Sequence, residues 1–242
     1  MADDKPVTLY TASTPNGWKA SVTLEELGVQ YNVRKITLGK NEQKEDWFLK
    51  INPNGRIPAL VDHSNDDFEV FESGAIMLYL CDRFDPEGKL LPKDLKERHQ
   101  VISWLMFQMG GLGPMQGQAH HFVRYAPVSV EYGKNRYVNE TKRLYGVLES
   151  QLEKGPWLAA GKYTIADIAN YSWVVIHFWA GVTLEEFPKL KDWVDRISER
   201  KAVNTGMDVP EPSRLKEVMK DPAKLQKSIE EAQNMMVSTK PT

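Results

Sequence analysis

The chain has 242 residues, which points to two fused domains, with one large domain as the alternative. An apolar fraction of 41% beside 26% charged residues excludes a disordered chain and supplies material for a sizeable core. With 31 basic against 33 acidic residues the formal charge is −2, so there is no electrostatic footprint for nucleic acid or an anionic membrane, and small-molecule chemistry is favoured.

Val7 to Tyr10 is a short β-prone run, and turn formers follow from Thr11 to Gly17 around Pro15-Asn16-Gly17. From Trp18 to Leu27 the apolar residues Ala20, Leu24 and Leu27 keep helical spacing, and Gly28 stands where a helix C-cap belongs. Tyr31 to Leu38 returns to a strand, so the order β-α-β predicts a crossover helix and a parallel pair. A short helix near Glu45 to Lys50 comes next, then strands at Ile57 to Val61 and Phe68 to Phe71 joined by an Asn65-Asp66 turn. Ser73 caps a helix to about Phe84, which gives β-α-β-α-β-β-α over residues 1–86.

Asp85-Pro86-Glu87-Gly88 through Leu91-Pro92 is a linker by composition, and beyond it the pattern is helical throughout. Leu95 to Met109 forms one helix, and Tyr137, Thr141, Leu144, Leu148 and Leu152 step by three or four residues through a second, which Gly155-Pro156 stops. Thr164-Ile165-Ala166-Asp167 is a capping box immediately before the apolar stretch Ile165 to Val182, the expected core helix of this region. Phe187 to Arg200 supplies another helix. The expectation is an all-helical domain over residues 94–205 and a charged extension over residues 206–242 carrying one or two surface helices.

Three local features can carry chemistry. Ser13-Thr14-Pro15-Asn16-Gly17 sits at a strand-to-helix turn, where backbone N–H groups and short polar side chains favour negative charge, a thiolate included. Ordinary turn chemistry is the competing account. Asn52-Pro53-Asn54-Gly55-Arg56-Ile57-Pro58 places a proline that cannot donate to a ladder at a strand edge, a strand start or a cis turn. A cis bond would turn the backbone of Ile57 outward to pair with an extended peptide, whereas an edge guarded against aggregation needs no ligand. In Phe71-Glu72-Ser73-Gly74-Ala75-Ile76, Ser73 either caps only its own helix or, with the first helical N–H groups, receives a carboxylate while Glu72 accepts from an ammonium. Those two ends together describe an α-amino acid.

In combination and spacing these motifs, with Thr164-Ile165-Ala166-Asp167, resemble the cytosolic glutathione transferase superfamily over about residues 7–205. Gly117-Gln118-Ala119-His120-His121-Phe122 and Arg136-Tyr137 resemble its bacterial Nu class and the fungal relatives of the yeast nitrogen-catabolite regulator. The resemblance implies a thioredoxin-like N-terminal domain with a mixed four-stranded sheet, followed by a helical-bundle C-terminal domain. It implies glutathione as co-substrate, with Ile57 pairing to the cysteinyl unit, Glu72 and Ser73 holding the γ-glutamyl end and Gln43 near the glycyl end. In place of the tyrosine, serine or cysteine of most classes, Asn16 would face the sulfur, with Thr14 as a second donor. The arginine matching Arg136 lies near bound glutathione in the bacterial relatives.

An asparagine NH₂ can donate to a thiolate but cannot act as a base, so its role would be electrostatic. Lowering a thiol pKa by about two units needs about 2.7 kcal/mol of preferential stabilisation, within reach of two donors and a helix N-terminus. Tyr10 and Ser13 are the rivals for this role. Cys81, the single cysteine, lies on an apolar helical stretch and is expected in the core, and with one cysteine neither an internal disulfide nor a thiolate metal cluster can form. His120-His121 lacks partners at metal-ligand spacing and is expected to form the wall of an acceptor cleft, while Trp104, Phe107 and Met109 are expected as core or dimer contacts and His177 as a satisfied core histidine.

The start Met-Ala-Asp-Asp-Lys-Pro has no basic and apolar leader pattern, so a cytoplasmic location is expected, and with it an unused Asn139-Glu140-Thr141 sequon. The expected activity is a glutathione transferase or disulfide reductase acting on a small electrophile or disulfide, as a homodimer without nucleic acid, membrane or metal. The alternative is a non-catalytic glutathione or hydrophobic-ligand binding or regulatory protein. A module of the translation elongation complex would carry a further appended domain.

Overall fold

The computed structural model describes residues 5–238. They divide into two compact units, the first running to Arg98 and taking in Ser198–Ser213, the second holding His99–Ile197 and the chain from Arg214 onward.

In the first unit the elements are β1 (Val7–Thr11), α1 (Pro15–Leu27), β2 (Tyr31–Lys35), α2 (Asp46–Ile51), β3 (Ala59–Asp62), β4 (Phe68–Phe71) and α3 (Ser73–Phe84). The sheet order is β2-β1-β3-β4, with β1 parallel to β2 and antiparallel to β3, and β3 antiparallel to β4. This is the mixed four-stranded sheet of a thioredoxin-like fold. Strand alternation divides its two faces: Val7 and Leu9 pack with Ala20 and Leu24 of α1 and Ile76 and Leu80 of α3, while Tyr10 lies with Phe48 of α2 on the other face. β3 starts at Ala59 rather than Ile57 because Pro58, in a cis bond to Ile57, has no N–H for the ladder, whose last pair is Tyr10 with Ala59.

α9 (Lys201–Met207) belongs to this unit although it follows the helical region in sequence. The Ser21 hydroxyl donates to Gly206 O at 2.7 Å, and Arg200 grips Glu26 through two bonds of 2.6 and 2.8 Å. A Cβ at Gly206 would lie 2.6 Å from Val22 Cα, so this approach of two helices admits only glycine.

The second unit is helical. From α4 (Leu95–Phe107) the chain continues through a π turn at Gln108–Leu112, α5 (Gly113–His120) and a second π turn at His121–Tyr125. No spacing in the sequence predicted α5, because its glycines and Pro114 interrupt the apolar pattern. Pro114 sits in the first turn, where a missing N–H costs little, and Gly113 is required since a Cβ would fall 2.5 Å from Gln108 Nε2. α6 (Glu131–Leu152) buries the expected seam of Thr141, Leu144, Leu148 and Leu152. α7 (Ile165–Val174) ends short of the apolar run, which finishes as a 3₁₀ turn at His177–Ala180 closed by Gly181 at φ 72°. α8 (Pro188–Ser198), α10 (Leu215–Lys220) and α11 (Pro222–Ser238) complete the unit.

Asp167, wholly buried on α7, gathers three segments of this unit. Its Oδ1 accepts from Leu158 N at 3.1 Å and Trp193 Nε1 at 2.9 Å, and its Oδ2 from Thr164 N at 2.9 Å and Thr164 Oγ1 at 3.1 Å. Burial pushes its carboxyl up to about 6 while the hydrogen bonds pull the other way. The folded state therefore holds this proton more tightly than the unfolded chain, and its contribution, full below the ordinary pKa of 3.8, is lost as pH rises through about 6. The stability advantage of the wild type over Asp167→Asn is expected to fall by about 2 kcal/mol between pH 4.5 and 7, measured by urea unfolding. A pH-independent difference would mean that the carboxylate stays ionised.

Candidate functional site

The turn after β1 is built by close backbone approach. Thr14 is the N-cap of α1, in extended conformation at φ −142°, and its Oγ1 accepts from Gly17 N at 3.1 Å. Pro15 opens the helix and Asn16, half-buried, lies in its first turn. A Cβ at Gly17 would sit 2.4 Å from Ala12 O and 2.5 Å from Thr11 Oγ1, so glycine lets this turn press against the end of β1. Ser13 is exposed. Tyr10 packs on the α2 face of the sheet against Trp47 and Phe48, and burial pushes its hydroxyl pKa up.

The loop before β3 is locked from within. Asn52 is buried, its Nδ2 donating to Arg56 O at 2.6 Å and its Oδ1 accepting from Asn54 N at 3.0 Å. Gly55 turns at φ 60°, where a Cβ would meet Gln43 O at 2.9 Å, so the loop that presents Ile57 abuts the 3₁₀ turn Glu42–Lys44 bearing Gln43. The Gln43 side chain donates to Asn41 Oδ1 at 3.4 Å, and its own buried Oε1 has no hydrogen-bond partner. An orphaned buried amide oxygen is costly unless a ligand engages it.

The start of α3 differs from the sequence expectation. Ser73 is not the N-cap but the first helical residue; the N-cap is Glu72, whose φ of 70° is left-handed backbone that a non-glycine residue adopts only under constraint. The Glu72 side chain makes no capping hydrogen bond. Glu72 is exposed and Ser73 buried, so a carboxylate and a hydroxyl stand beside the first helical N–H groups. Lys19 Nζ donates to Ser73 Oγ at 3.2 Å, joining α1 to the start of α3. Sequence reasoning missed Lys19, because a lysine next to apolar residues reads as a snorkelling surface residue. It is 1% exposed, and burial lowers its pKa to about 7 against the opposing field of Glu72.

In the second unit, Arg136 is exposed on α6 and lines a cavity of about 690 Å³ with Met115, Tyr132, Tyr137, Glu140 and Arg143. Arg143 is taken up by Glu140 through bonds of 2.7 and 2.8 Å, whereas Arg136 has no ion-pair partner among the described residues. The His120 ring, expected in a cleft wall, is instead buried against Trp173 with ring centroids 5.6 Å apart, and burial drives its pKa down to about 3. His177 is satisfied by Val182 O at 2.6 Å. Among the described residues no group of three His, Cys, Asp or Glu is arranged to hold a metal ion, and no helix is long and apolar enough to cross a membrane.

Residues 5–82 match the family model for the glutathione S-transferase N-terminal domain and residues 124–201 the model for its C-terminal domain. The chain is 44% identical over 205 residues to the disulfide-bond oxidoreductase YfcG of Escherichia coli, spanning 83% of this chain and 94% of that protein. A crystal structure of a glutathione transferase homolog from Lodderomyces elongisporus, with two GSH per subunit, matches at TM-score 0.82 and 42% identity over 85% of this chain and 99% of that one. The glutathione transferase URE2P6 from Phanerochaete chrysosporium, in complex with oxidized glutathione, matches at TM-score 0.81 and 41% identity over 86% of this chain and 97% of that one.

Cys81 is fully buried, and burial, reinforced by Asp85 and Asp82, pushes its thiol pKa well up. An aromatic disulfide reagent is therefore expected to leave the native protein unlabelled and to titrate one thiol per chain in urea. Rapid labelling without denaturant would show a reactive cysteine.

Proposed function

Because the chain belongs to the glutathione S-transferase family, we propose that it is a glutathione-dependent enzyme that stabilises the glutathione thiolate with Asn16, assisted by Thr14, and presents it to an electrophile or a disulfide. The observation that carries this reading is the pairing of two helix starts: a half-buried asparagine in the first turn of α1, and the start of α3, where left-handed Glu72 makes no capping bond and precedes buried Ser73. Glu72 takes the γ-glutamyl ammonium, while Ser73 and the first N–H groups of α3 take its carboxylate. Ile57 pairs by backbone with the cysteinyl unit, and Gln43, with its orphaned amide oxygen, meets the glycyl end. The sulfur then faces the Asn16 NH₂, which donates without accepting a proton.

Disulfide reduction is favoured beside modest transfer activity. The single cysteine is sealed in the core, so a protein mixed disulfide is not available and both exchanging sulfurs belong to ligands. One glutathione thiolate attacks a ligand disulfide sulfur, the new S–S bond forms as the old one breaks, and the leaving thiolate takes up a proton. Two glutathione-type molecules must be held, and Arg136, facing its cavity without an ion pair among the described residues, is the group proposed for the second carboxylate. The relatives carry names of both kinds, disulfide-bond oxidoreductase and glutathione S-transferase. The assembly proposed is a cytoplasmic homodimer, and light scattering at a single-chain mass of 27.6 kDa would exclude the dimer.

A turnover panel of glutathione with an aryl halide, an isothiocyanate, a hydroperoxide and a small disulfide tests the reading. Turnover is expected with the disulfide, and none with any substrate would leave the binding-protein alternative. Asn16→Ala is expected to lower turnover by about a hundredfold while the fold survives, since one donor to a developing anion is removed. Ser13→Ala should be near normal, and the reverse pattern would reassign the role. Arg136→Ala is expected to weaken oxidised glutathione several-fold more than reduced glutathione in calorimetry. Equal weakening of both forms would remove Arg136 from the second subsite.

A further inference from the structure

Two residues after His120, which is withdrawn against Trp173, the second π turn presents Phe122 to α6. Its ring lies on the helix backbone: a Cβ at Gly133 would fall 2.7 Å from Phe122 Cε1 and 2.9 Å from its Cδ1, so only glycine admits the ring. Tyr137 stands four residues further along the same face of α6, and its ring stacks on Phe122 with centroids 5.5 Å apart and planes inclined by 10°. The His121 ring meets Phe122 edge-on at 5.1 Å. Glycine inside a helix is unfavourable, so this seat for the Phe122 ring is kept against helix propensity.

The π turn that carries Phe122 is itself fastened. It is closed by Ala126 N donating to His121 O at 2.7 Å. Arg124 donates to Trp179 O at 3.2 Å and to Phe178 O at 2.9 Å, and the Tyr125 hydroxyl accepts from Trp179 Nε1. On another side, Arg124 O accepts from Gln233 Nε2 of α11 at 2.5 Å. The 3₁₀ turn at His177–Ala180 and the C-terminal helix therefore hold the π turn, and the π turn holds the Phe122 ring. Tyr137 inherits that order, and it lines the cavity of about 690 Å³ beside Arg136. Of these two neighbours Arg136 is exposed, whereas Tyr137 is half-buried with one face of its ring already packed.

Resting on the disulfide reading above, we propose that Tyr137 is a further binding residue of the second subsite: its ring is the wall against which the second glutathione-type molecule packs while Arg136 takes the carboxylate, and Phe122 is the positioning residue that fixes that ring. The two side chains divide the work by their chemistry. A guanidinium supplies charge and direction, but its long stem must be ordered as the ligand binds. A stacked phenol ring offers apolar area that is ordered before the ligand arrives, so little conformational entropy is lost on binding. Reduced glutathione in the first subsite makes no use of this wall. Oxidised glutathione, whose two halves need both subsites, depends on it.

Calorimetry with oxidised and reduced glutathione tests both assignments. Tyr137→Leu is expected to weaken the oxidised form about fivefold and to leave the first binding step of the reduced form unchanged. Tyr137→Phe, which keeps the ring, should stay near wild type. Phe122→Leu should reproduce the selective loss, and added to Tyr137→Leu it should bring almost no further loss, because it acts through that ring. Gly133→Ala reaches the same end where Phe122→Leu fails to fold: alanine favours the helix, yet its Cβ displaces the Phe122 ring, and the oxidised form should again weaken selectively. Wild-type affinity in Tyr137→Leu, equal weakening of both forms, or a loss in Tyr137→Phe as large as in Tyr137→Leu would overturn the wall. Additive losses in the double variant, or unchanged oxidised binding in Gly133→Ala, would overturn the part played by Phe122. In each of these cases a selective effect of Arg136→Ala leaves the second subsite standing, whereas an oxidised form insensitive to Arg136→Ala would overturn the subsite and its wall together.

Discussion

The first unit depends on a helix that has no solvent face over two turns. In α1 every residue from Gly17 to Leu24 is buried, three of them polar. Each polar group must then find a partner inside the protein, and the partners it finds organise the unit. Thr23 donates to Lys19 O at 2.7 Å within the helix, Ser21 reaches Gly206 O on α9, and Lys19 reaches Ser73 at the start of α3. The apolar residues Ala20 and Leu24 meanwhile pack on the sheet. A helix pinned on so many sides cannot rotate, and the turn before it, which carries Thr14 and Asn16, inherits that rigidity. Positioning a donor toward a thiolate needs such support, because electrostatic stabilisation is worth most where the dipole does not reorganise.

The second unit uses a buried carboxylate in a comparable way. Asp167 has four donors and no cation among its hydrogen-bond partners, so its ionised form depends on directed N–H and O–H groups from the turn before α7, the Leu158 backbone and α8. Losing one of these segments would strand the carboxylate or its donors, which couples the packing of α7 and α8. The two π turns either side of α5 serve the same core. A Cβ at Gly117 would lie 3.4 Å from the Trp173 ring, and the Gln116 side chain donates to Trp173 O at 2.7 Å and accepts from the Tyr145 hydroxyl at 3.0 Å. His120 belongs to this packed polar cluster, which explains why its ring is neutral and withdrawn from solvent.

Much of the fold was legible because local rules agreed with it. Alternation and turn residues located four strands, Gly28 marked the end of α1 in the left-handed conformation at φ 68°, and the Thr164–Asp167 box marked the start of α7. The misses have a common cause. α5 is held by glycines whose value lies in contacts with Gln108 and Trp173, and such contacts have no period in sequence. Ser73 carried the composition of an N-cap, yet the left-handed turn at Glu72 moved it one position into the helix, and backbone angles at a non-glycine residue leave no mark on composition.

The sequence by itself determined the β-α-β-α-β-β-α order of the first 86 residues, the family and the residue types available at two helix starts, since hydrophobic periodicity and turn chemistry act over a few neighbours. Tertiary structure alone decided that Tyr10 faces α2, that Gly206 meets Val22 and that Lys19 lies buried in reach of Ser73. Those facts depend on which face of a strand or helix meets a partner as many as 185 positions away, as Ser21 meets Gly206. Burial, which sets the charge state of a lysine or a thiol, comes into being only when such distant segments close around it.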